Sequence, residues 1–502
     1  MLTDVCSVYV TTPIYYPNDK PHLGHAYTTV LADIVSRWYS LIGCEVMFLT
    51  GTDEHGLKLQ REAEKHGVDP KRFVDSMVDI YKEYWKLLNI RYSRFIRTTD
   101  SDHEETVKLV LNELYRRGYV YKSRYSGWYC AGCEKFYSEK EYLIEDDKPL
   151  CPIHRRALEF IEEDAYFLKL SAFKDYVVKI LREDDIVYPK HYALEVLGKI
   201  EIEGLQDIAI SRLKSRVYWG IELPFDPQYT AYVWIDALLN YLSGLGYPRD
   251  IDKFNKFWSN SIQFIGKDIL WFHTAIWFSL LAMIGIPPPK KLIVHAFLTF
   301  KGQKMGKSLG NVVSIDDMAK RYGTAEAIRF IIARIANFDK DSEISWDIYD
   351  SIYTNDLVNN YGNLVRRVTM LAKKILEGIV EKDLDTEFEQ TISRIRDKAV
   401  ESYNQLKISD AVKYALDIAH ETNAYLNKKE PWKSSNPRPT IYTSLEAIRI
   451  SSLLLYPVIP ETIEKLFKAI GIEIKKGLDQ FNIGFVSRYT IKESPILFKK
   501  IN

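Results

Sequence analysis

The chain has 502 residues, of which 46% are hydrophobic and 27% are charged, and its 68 basic and 68 acidic residues give a formal net charge of zero. This length predicts two to four domains, and the composition is that of an ordinary globular protein. The neutral total argues against bulk electrostatic binding of long nucleic acid, but it does not exclude a local basic face. Five cysteines do not make a disulfide framework, and we expect no signal peptide and a cytoplasmic location.

The first fifty residues predict a strand, a helix and a second strand. A strand-like run over residues 7–12 leads through a turn into His22-Leu23-Gly24-His25, which opens a helical pattern to about Leu41. A helix N-terminus favours negative charge, so two imidazoles and a glycine there indicate an anion site. The second strand, residues 45–50, leads to Asp53, and ligands of open α/β sheets bind beyond the carboxyl ends of strands. We therefore expect Asp53 beside His22 and His25, although two nearby histidines taken alone are more often incidental.

Two further helices are predicted before the pattern changes at about residue 119. The first is capped by Asp69 with Pro70 at its first position, and the second runs from about residue 101 to 117. From 119 to 225 the elements become shorter and rich in aromatic residues. Cys6 and Cys44 are expected to be packing residues.

The aromatic-rich region carries a metal-binding pattern. A CxxC pair and a CxxH pair, separated by seventeen residues, predict a tetrahedral site for structural zinc formed by Cys130, Cys133, Cys151 and His154. A catalytic zinc would keep one position open, and four candidate ligands leave none. The alternative is that these four residues are unrelated.

Alternating α/β elements return after about residue 204. Residues 232–237 predict a strand entering a helix, residues 264–269 end another strand, and residues 292–300 predict one more buried strand. The segment 269–289, which contains His273, is nearly all apolar and about long enough to span a bilayer. We expect it to be a buried helix that lines a pocket.

The loop after the last predicted strand is unusually basic and flexible. Residues 301–311 hold three lysines and three glycines, which suits a mobile clamp for a polyphosphate, although alone such a loop is more often simply solvated. From about residue 351 the sequence predicts an antiparallel helical bundle, with Ser409 capping one helix. Basic and amide residues cluster over residues 359–367, and Trp432 lies on another element.

Together these motifs resemble the class I aminoacyl-tRNA synthetases, and among them the methionyl-tRNA synthetase family with a single zinc knuckle. The resemblance rests on His-x-Gly-His after a strand and on Lys304-Met305-Gly306-Lys307-Ser308, which is similar to the family's Lys-Met-Ser-Lys-Ser loop. It implies an α/β fold: a Rossmann-like parallel-sheet catalytic domain with a zinc-knuckle insertion, followed by an all-α anticodon-binding bundle. The implied divisions are a catalytic first half, a connective insertion, a catalytic second half, a lysine-loop region and the bundle, at 1–118, 119–225, 226–300, 301–350 and 351–502.

The resemblance also implies an activity: ATP-dependent activation of L-methionine to methionyl-adenylate, then transfer to tRNA(Met) for initiation and elongation. It implies Mg²⁺ with ATP, one structural Zn²⁺, no membrane partner and, since no appended C-terminal dimerisation domain is seen, a monomer. The implied catalytic residues are His22, His25, Lys304 and Lys307, and Gly24, Asp268 and Ser308 join them in ATP binding. The implied methionine pocket is Ile14, Tyr16, Asp53, Trp234, Ala237, Tyr241, Ile269 and His273. The residues implied for the anticodon are Asn363, Arg367 and Trp432.

The chain departs from the family pattern at Gly306, where serine is usual, at Leu238, where some relatives have proline, and at Ala209, where a more polar residue is common. The alternatives are a synthetase for leucine, isoleucine or valine, a small nucleotidyltransferase, and a non-catalytic tRNA-binding or scaffold protein. The first carries a much larger editing insertion, and the second lacks a zinc insert and a helical tail. The third does not need the intact imidazoles and lysines.

Overall fold

The computed structural model describes residues 6–131, 135–137, 141–145, 148–153, 155–300, 303–304 and 313–501. The strands of these residues are β1 (Ser7–Tyr15), β2 (Glu45–Thr52), β3 (Arg94–Arg97), β4 (Val120–Cys130), β5 (Lys135–Tyr137), β6 (Leu143–Glu145), β7 (Lys148–Leu150), β8 (Glu159–Leu168), β9 (Val187–Tyr188), β10 (Ile208–Ala209), β11 (Ser211–Leu213), β12 (Glu222–Leu223), β13 (Asp226–Ala231), β14 (Ser261–Gly266), β15 (Lys291–His295), β16 (Leu298–Phe300), β17 (Gln303–Lys304), β18 (Ser342–Glu343), β19 (Ile379–Glu381) and β20 (Arg488–Thr490).

The α-helices are α1 (Leu23–Leu41), α2 (Leu57–Lys65), α3 (Pro70–Leu87), α4 (Ser101–Arg116), α5 (Lys174–Glu183), α6 (Lys190–Glu203), α7 (Val233–Leu238), α8 (Asn240–Ser243), α9 (Ile251–Trp258), α10 (Trp277–Ile284), α11 (Ile315–Tyr322), α12 (Ala325–Ile335), α13 (Trp346–Ile352), α14 (Asn363–Leu376), α15 (Thr386–Asn404), α16 (Ile408–Lys429), α17 (Arg438–Leu455) and α18 (Pro460–Ile470). Segments of π-helix span Phe272–Ile276 and Tyr353–Gly362, and short 3₁₀ turns span Leu170–Phe173, Lys267–Ile269 and Leu478–Phe481.

A parallel sheet of six strands lies at the centre, in the order β3-β2-β1-β14-β15-β9. Its strands come from both sides of the insertion, and β9 joins its edge from within the region 119–225. Crossover helices make parallel pairing possible. The predicted α/β class with a Rossmann-like parallel sheet is confirmed.

The start of the sheet follows the sequence pattern closely. Helix α1 covers the predicted span, and Gly43 beyond it adopts a φ of +104°, which favours glycine. Asp69 caps α3 by accepting hydrogen bonds from the N–H groups of Lys71 and Arg72. Both predicted helix boundaries are therefore confirmed.

The insertion is antiparallel. Its larger sheet has the order β10-β8-β4-β5, and β6 and β7 form a separate hairpin. The long pairing of β4 with β8 carries Cys130 to the tip of the insertion, where β4 ends.

The C-terminal third is helical, as predicted, with a small β19–β20 sheet beside the helices. Buried residues of α1 and of the bundle form one continuous hydrophobic core, in which Trp38 stacks on Tyr403 with ring centroids 4.4 Å apart. A buried ion-pair cluster also joins the two parts, because Asp33 of α1 binds Arg329 of α12, whose Nε and Nη2 groups donate to the carbonyl oxygens of Val458 and Pro457.

Three predictions about local structure are wrong. Ser409 does not cap a helix: α16 begins at Ile408, with Lys407 as the preceding residue, and the Ser409 hydroxyl donates to the carbonyl oxygen of Arg334. Residues 292–300 are not one strand, because the chain leaves the central sheet after His295 and β16 pairs with β17 and β18 instead. The strand of the predicted strand-to-helix segment 232–237 ends earlier, because β13 stops at Ala231 and α7 begins at Val233.

Cys6 and Cys44 are also not simple packing residues, because the structure joins them in a disulfide. The two residues precede the neighbouring parallel strands β1 and β2, and their Cα atoms lie 4.8 Å apart. This separation lies within the range of disulfides.

The apolar segment 269–289 contains the π-helical turn and α10, whose side chains are almost all buried in the core of the α/β part. Among the described residues, no helix is long and apolar enough to cross a membrane. The prediction of a buried helix that lines a pocket is confirmed.

Candidate active site

A cavity of about 600 Å³ opens at the carboxyl edge of the central sheet. Twelve of the residues singled out in the sequence line it: Ile14, Tyr16, His22, Gly24, His25, Asp53, Trp234, Ala237, Asp268, Tyr241, Ile269 and His273. They come from β1, the start of α1, the residues that follow β1, β2 and β14, the helices α7 and α8, and the π-helical turn. The predicted meeting of Asp53 with the two imidazoles is confirmed.

His22 and His25 form a reciprocal cap at the start of α1. The Gly24 N–H donates to His22 Nδ1 at 3.0 Å, and the His22 N–H donates to His25 Nδ1 at 3.2 Å. The two rings stack with centroids 3.9 Å apart. Because each Nδ1 accepts a hydrogen bond, each neutral ring carries its hydrogen on Nε2. The two backbone N–H groups thus fix the orientation of the two imidazole rings, whose Nε2–H groups are the ring donors at the cavity.

Gly24 is required by this cap. A Cβ atom at position 24 would lie 2.8 Å from Cε1 and 3.0 Å from Nδ1 of His22. The sequence suggested that this glycine admits a ligand to the backbone, and the structure shows that it first makes room for the neighbouring ring. The glycine and the histidine therefore act as one unit.

The apolar end of the cavity contains a buried pair, His273 and Tyr241. The Tyr241 hydroxyl lies 2.8 Å from His273 Nε2, and His273 Nδ1 lies 3.0 Å from the carbonyl oxygen of Ile269. Since a carbonyl only accepts, Nδ1 carries the hydrogen and Nε2 accepts from the hydroxyl. Burial lowers the pKa of His273 to about 4, so the ring is neutral at physiological pH.

Trp234 forms the adjoining wall. It stacks on Phe272 with centroids 3.8 Å apart and an interplanar angle of 7°, and it meets His273 edge-on. An unbranched apolar group that enters between these rings would meet polarisable surfaces on more than one side.

Asp53 lies at the polar side of the cavity and is only 6% exposed. Its N–H donates to the carbonyl oxygen of Tyr15, which fixes the strand end that carries it. A carboxylate this deeply buried favours a cationic ligand group, because pairing with an opposite charge offsets the free-energy cost of removing the carboxylate from water.

Behind Asp53 lies a buried network that the sequence did not reveal. The Asp236 carboxylate lies 2.7 Å from His55 Nδ1 and 2.7 Å from His103 Nε2. Burial alone would raise the pKa of Asp236, but the two imidazoles hold it below its ordinary value; the pKa of His55 is raised, because Asp236 outweighs the effect of burial. The network anchors α7 to its surroundings and so fixes Trp234 and Ala237, which α7 carries into the cavity. The only sequence signal was His55, two residues after Asp53.

His295 is a fourth imidazole in the cavity, which the sequence analysis did not identify. It ends β15, and its Nε2 accepts from the Thr28 hydroxyl at 2.7 Å while Nδ1 donates to the carbonyl oxygen of Ala296 at 2.9 Å. Burial lowers its pKa, so it too is neutral. Its place at the carboxyl end of a buried strand could have identified it.

Asp268 follows β14 and lies beside His295 at the mouth of the cavity. A Cβ atom on Gly266 would lie 2.6 Å from Asp268 Oδ1 and 3.5 Å from His295 Cε1, so the glycine is needed for this arrangement. Lys304 lies in the described strand β17, whereas Lys307 and Ser308 lie outside the described residues.

The predicted zinc site is described in part. Cys130 and Cys151 are both buried in one small cluster with Tyr137 and Leu158, and neither forms a disulfide. The described residues alone contain no group of three or more metal-ligand side chains, and the predicted ligands Cys133 and His154 lie outside them. Two thiols brought together from separate segments fit one half of a tetrahedral site with three sulfur ligands and one nitrogen ligand.

The predicted anticodon residues converge on one face of the bundle. Arg367 on α14 donates to the side-chain oxygen of Asn427 on α16 at 2.7 Å, and its guanidinium lies 5.1 Å from the ring centroid of Trp432. Trp432 is 42% exposed, and Asn363 is exposed one helical turn before Arg367. An exposed aromatic ring beside a guanidinium and amides can stack and hydrogen-bond unpaired bases.

Comparisons with known proteins cover nearly the whole chain. The profile of the family "tRNA synthetases class I (M)" matches residues 8–156 and 143–369. The methionine–tRNA ligase of Caldanaerobacter subterraneus is 39% identical over 98% of this chain and 79% of its own length. The methionine–tRNA ligase of Thermotoga maritima is 37% identical over 98% of this chain and 80% of its own length.

Solved structures show the same likeness. Mycobacterium tuberculosis methionyl-tRNA synthetase in complex with methionyl-adenylate has a TM-score of 0.93 and 32% identity, and the match covers 98% of this chain and 100% of that chain. The apo form has a TM-score of 0.87 and 28% identity, and the match covers 100% of this chain and 99% of that chain. The sheet, the insertion and the bundle are therefore matched as one arrangement.

Proposed function

This chain belongs to the class I methionyl-tRNA synthetases, and from that premise we propose how its own residues carry out the family reaction. The chain activates L-methionine with ATP to form methionyl-adenylate and pyrophosphate, and it transfers the methionyl group to tRNA(Met). One observation carries the assignment of the site: a single cavity joins an aromatic, apolar end to an end lined by two imidazole donors.

At the phosphate end, His22 and His25 stabilise the charge that develops on the leaving pyrophosphate. The methionine carboxylate is already a nucleophile at neutral pH, so no general base is needed and catalysis rests on position and electrostatics. The capped Nδ1 atoms orient both Nε2 donors before ATP arrives. Lys304 and Lys307 close the other side of the triphosphate, a role that rests on their match to the family loop.

At the amino-acid end, Asp53 binds the methionine ammonium group, and its burial makes the pair strong. The side chain enters the apolar end lined by Ile14, Tyr16, Ala237 and Ile269 and reaches the rings of Trp234, Tyr241 and His273. The thioether is unbranched and polarisable, so contact with aromatic rings favours it over the branched side chain of leucine. Both ring nitrogens of His273 are used by Tyr241 and Ile269, which keeps this end neutral.

Gly24 and Asp268 would contact the nucleoside of ATP. Asp268 at the mouth of the cavity accepts from the ribose hydroxyls, and Ser308 belongs to the lysine loop that closes over the phosphates. Mg²⁺ arrives with ATP and shares the charge of the triphosphate. We assign no protein ligand to it.

The zinc is structural in this proposal. Cys130 and Cys151 would hold it together with Cys133 and His154, and it would fix the tip of the insertion. No step of the reaction passes through it. The buried pair of thiols in one cluster supports the proposal.

The bundle selects the tRNA. Trp432 would stack on an anticodon base, while Asn363 and Arg367 would hydrogen-bond base edges, with Arg367 held in place by Asn427. The five-part division at 1–118, 119–225, 226–300, 301–350 and 351–502 is the organisation we propose, and the shared central sheet of β1–β3 with β14 and β15 supports its two catalytic halves.

We also propose that the enzyme works as a monomer in the cytoplasm, the compartment that holds its substrates. The support for a monomer is that the residues of one chain line both ends of the cavity. Light scattering during size-exclusion chromatography tests this directly, and a stable dimer at working concentration would contradict it.

Charging of a tRNA(Met) transcript tests the proposed function as a whole. We expect methionine-dependent charging of the transcript with a CAU anticodon and a large loss when the anticodon alone is replaced. Equal charging of both transcripts would contradict the role of the bundle.

A further inference from the structure

A second cavity, of about 830 Å³, opens at the amino edge of the central sheet, opposite the candidate active site. We call it the seam cavity. One wall comes from the end of α1, the start of β2 and the residues just before β3. The other wall comes from the end of α18, residues 471–476 and Lys492. The reaction proposed above makes no use of it.

The lining of the seam cavity is strongly basic, although the chain as a whole is neutral. Two carboxylates face six cations, namely Glu464 and Glu473 against Arg37, Arg91, Lys468, Lys475, Lys476 and Lys492. Glu464 already accepts a hydrogen bond from the Tyr456 hydroxyl at 3.0 Å. Within the described part of the chain, none of the five exposed cations forms an ion pair. Like charges gathered in a concave surface raise the local concentration of anions.

Arg37 places a fixed positive charge at the base of the cavity. It is only 6% exposed, and its hydrogen bonds to described residues use Nε, toward Asp33 at 2.7 Å, and Nη2, toward Asn89. Nη1 takes part in none of these bonds. Asp33 also binds Arg329 at 2.7 Å, so one carboxylate serves two guanidiniums and does not neutralise Arg37 completely. Arginine is a frequent partner of phosphate oxygens in proteins, because its planar guanidinium presents several donors in a fixed arrangement.

The rest of the lining combines apolar side chains with the hydroxyl groups of Ser36, Ser40 and Ser93. Leu41, Val46, Phe467, Ile472 and Ile474 form a surface beside the cations. The volume lies within the range of small-molecule sites, which combine apolar walls with a few placed polar groups. The chemistry therefore fits a ligand that carries phosphate together with an apolar or aromatic part.

We propose that the seam cavity binds a phosphate-bearing ligand that bridges the catalytic sheet and the C-terminal region. The phosphate contacts Arg37 and Arg91 from one side and Lys468 and Lys475 from the other. The ligand is either a free nucleotide-like phosphate or a phosphate of a bound nucleic acid backbone, since both present the same group. This proposal goes beyond the proposed function and does not depend on it.

A role in stabilising the fold accounts for only some of the cations that line the seam cavity. Lys468 lies in the last turn of α18, where a cation stabilises the helix dipole. Arg91 lies outside any helix, and Arg37 is buried, so neither is explained in this way.

Hydrogen–deuterium exchange locates the ligand without interference from the active site. The active site of the full chain is first filled with a non-hydrolysable methionyl-adenylate analogue, and tripolyphosphate, ATP or tRNA(Met) is then added. We expect amide exchange in residues 36–46 and 464–476 to become about tenfold slower when a probe is present at ten times its Kd. Protection by tripolyphosphate or ATP identifies a free phosphorylated molecule, and protection by tRNA alone identifies a backbone phosphate.

The variant Lys468→Ala with Lys475→Ala should lose this protection while ATP–pyrophosphate exchange stays at the wild-type rate. The matched control is Lys174→Ala with Lys179→Ala, which removes two exposed lysines from α5 and should keep the protection. The proposal is overturned if none of the three probes slows exchange in these segments, or if the Lys468 and Lys475 variant remains fully protected. If the seam cavity binds no phosphate, the proposal of methionine activation is unaffected, so the two proposals can be tested separately.

Discussion

Replacing Gly24 with alanine separates catalysis from folding at the start of α1. The new Cβ atom would lie 2.8 Å from Cε1 of His22. Since carbon atoms need about 3.5–4.0 Å, the ring must move by roughly 1 Å. That movement breaks the 3.0 Å hydrogen bond from the Gly24 N–H to His22 Nδ1. The Nε2 donor then no longer points to where ATP binds.

The effect on stability is small because two terms cancel. Losing the cap costs about 1 kcal/mol, and replacing glycine by alanine inside a helix gains up to about 1 kcal/mol. The effect on activity is large, because a displacement of about 1 Å in a positioned group lowers the rate about 100-fold. We therefore expect a nearly unchanged melting temperature and a loss of about two orders of magnitude in ATP–pyrophosphate exchange.

Gly198→Ala is the matched control. Gly198 lies inside α6, and a Cβ atom there would meet no atom within 4 Å. It should raise the stability by up to about 1 kcal/mol and leave pyrophosphate exchange unchanged. Wild-type exchange in Gly24→Ala would refute the role of the His22 cap, and unfolding of that variant would show that the cap serves stability instead.

Three further predictions concern other parts of the chain. Trp432→Ala should lower kcat/KM for tRNA charging about tenfold or more, because one base loses its stacking partner, and it should leave pyrophosphate exchange unchanged. If both activities are lost, Trp432 serves the fold and not tRNA recognition. The pKa of His273 is about 4 when folded and about 6.5 when unfolded, so the unfolded state binds the extra proton between these values and stability falls as the pH falls through this window. The difference in unfolding free energy between wild type and His273→Gln should therefore rise with pH by up to about 1.4 kcal/mol per unit between pH 4 and 6.5, and a flat difference in chemical denaturation would contradict this. Metal analysis after gentle purification should find about one zinc per chain, and its absence would remove the knuckle.

The site could be predicted from the sequence where local chemistry decides the structure. The boundaries of α1 and α3 follow from capping residues and periodicity. The meeting of His22, His25 and Asp53 follows from one rule, that parallel strands present their carboxyl ends at the same edge. The residue types alone were enough to predict both the helix boundaries and this meeting of side chains.

Other features depend on how distant segments meet. Residues 292–300 are mostly apolar and contain no glycine or proline, so no pattern shows that the chain leaves one sheet for another after His295. Cys6 and Cys44 pair because β1 and β2 lie side by side in register, which their spacing does not reveal. The His55–Asp236–His103 network joins three separate elements, and the seam cavity is lined by residues from 36–46, 91–93 and 456–492. Only the folded chain brings these groups together.

At the start of α1, the structure changes which groups we expect to donate to phosphate. Two imidazoles at a helix N-terminus predicted an anion site built from free N–H groups. The structure uses two of those groups to orient the imidazoles instead, so the donors to phosphate are the ring Nε2 atoms.

Methionine-dependent ATP–pyrophosphate exchange tests the central claim most directly. The full chain is incubated with ATP, Mg²⁺ and labelled pyrophosphate, and each amino acid is supplied in turn. The account predicts rapid label incorporation with methionine and far slower incorporation with leucine, isoleucine or valine. Exchange with leucine but not methionine would contradict the assigned pocket, and exchange with no amino acid would contradict the assignment of this cavity as a catalytic site.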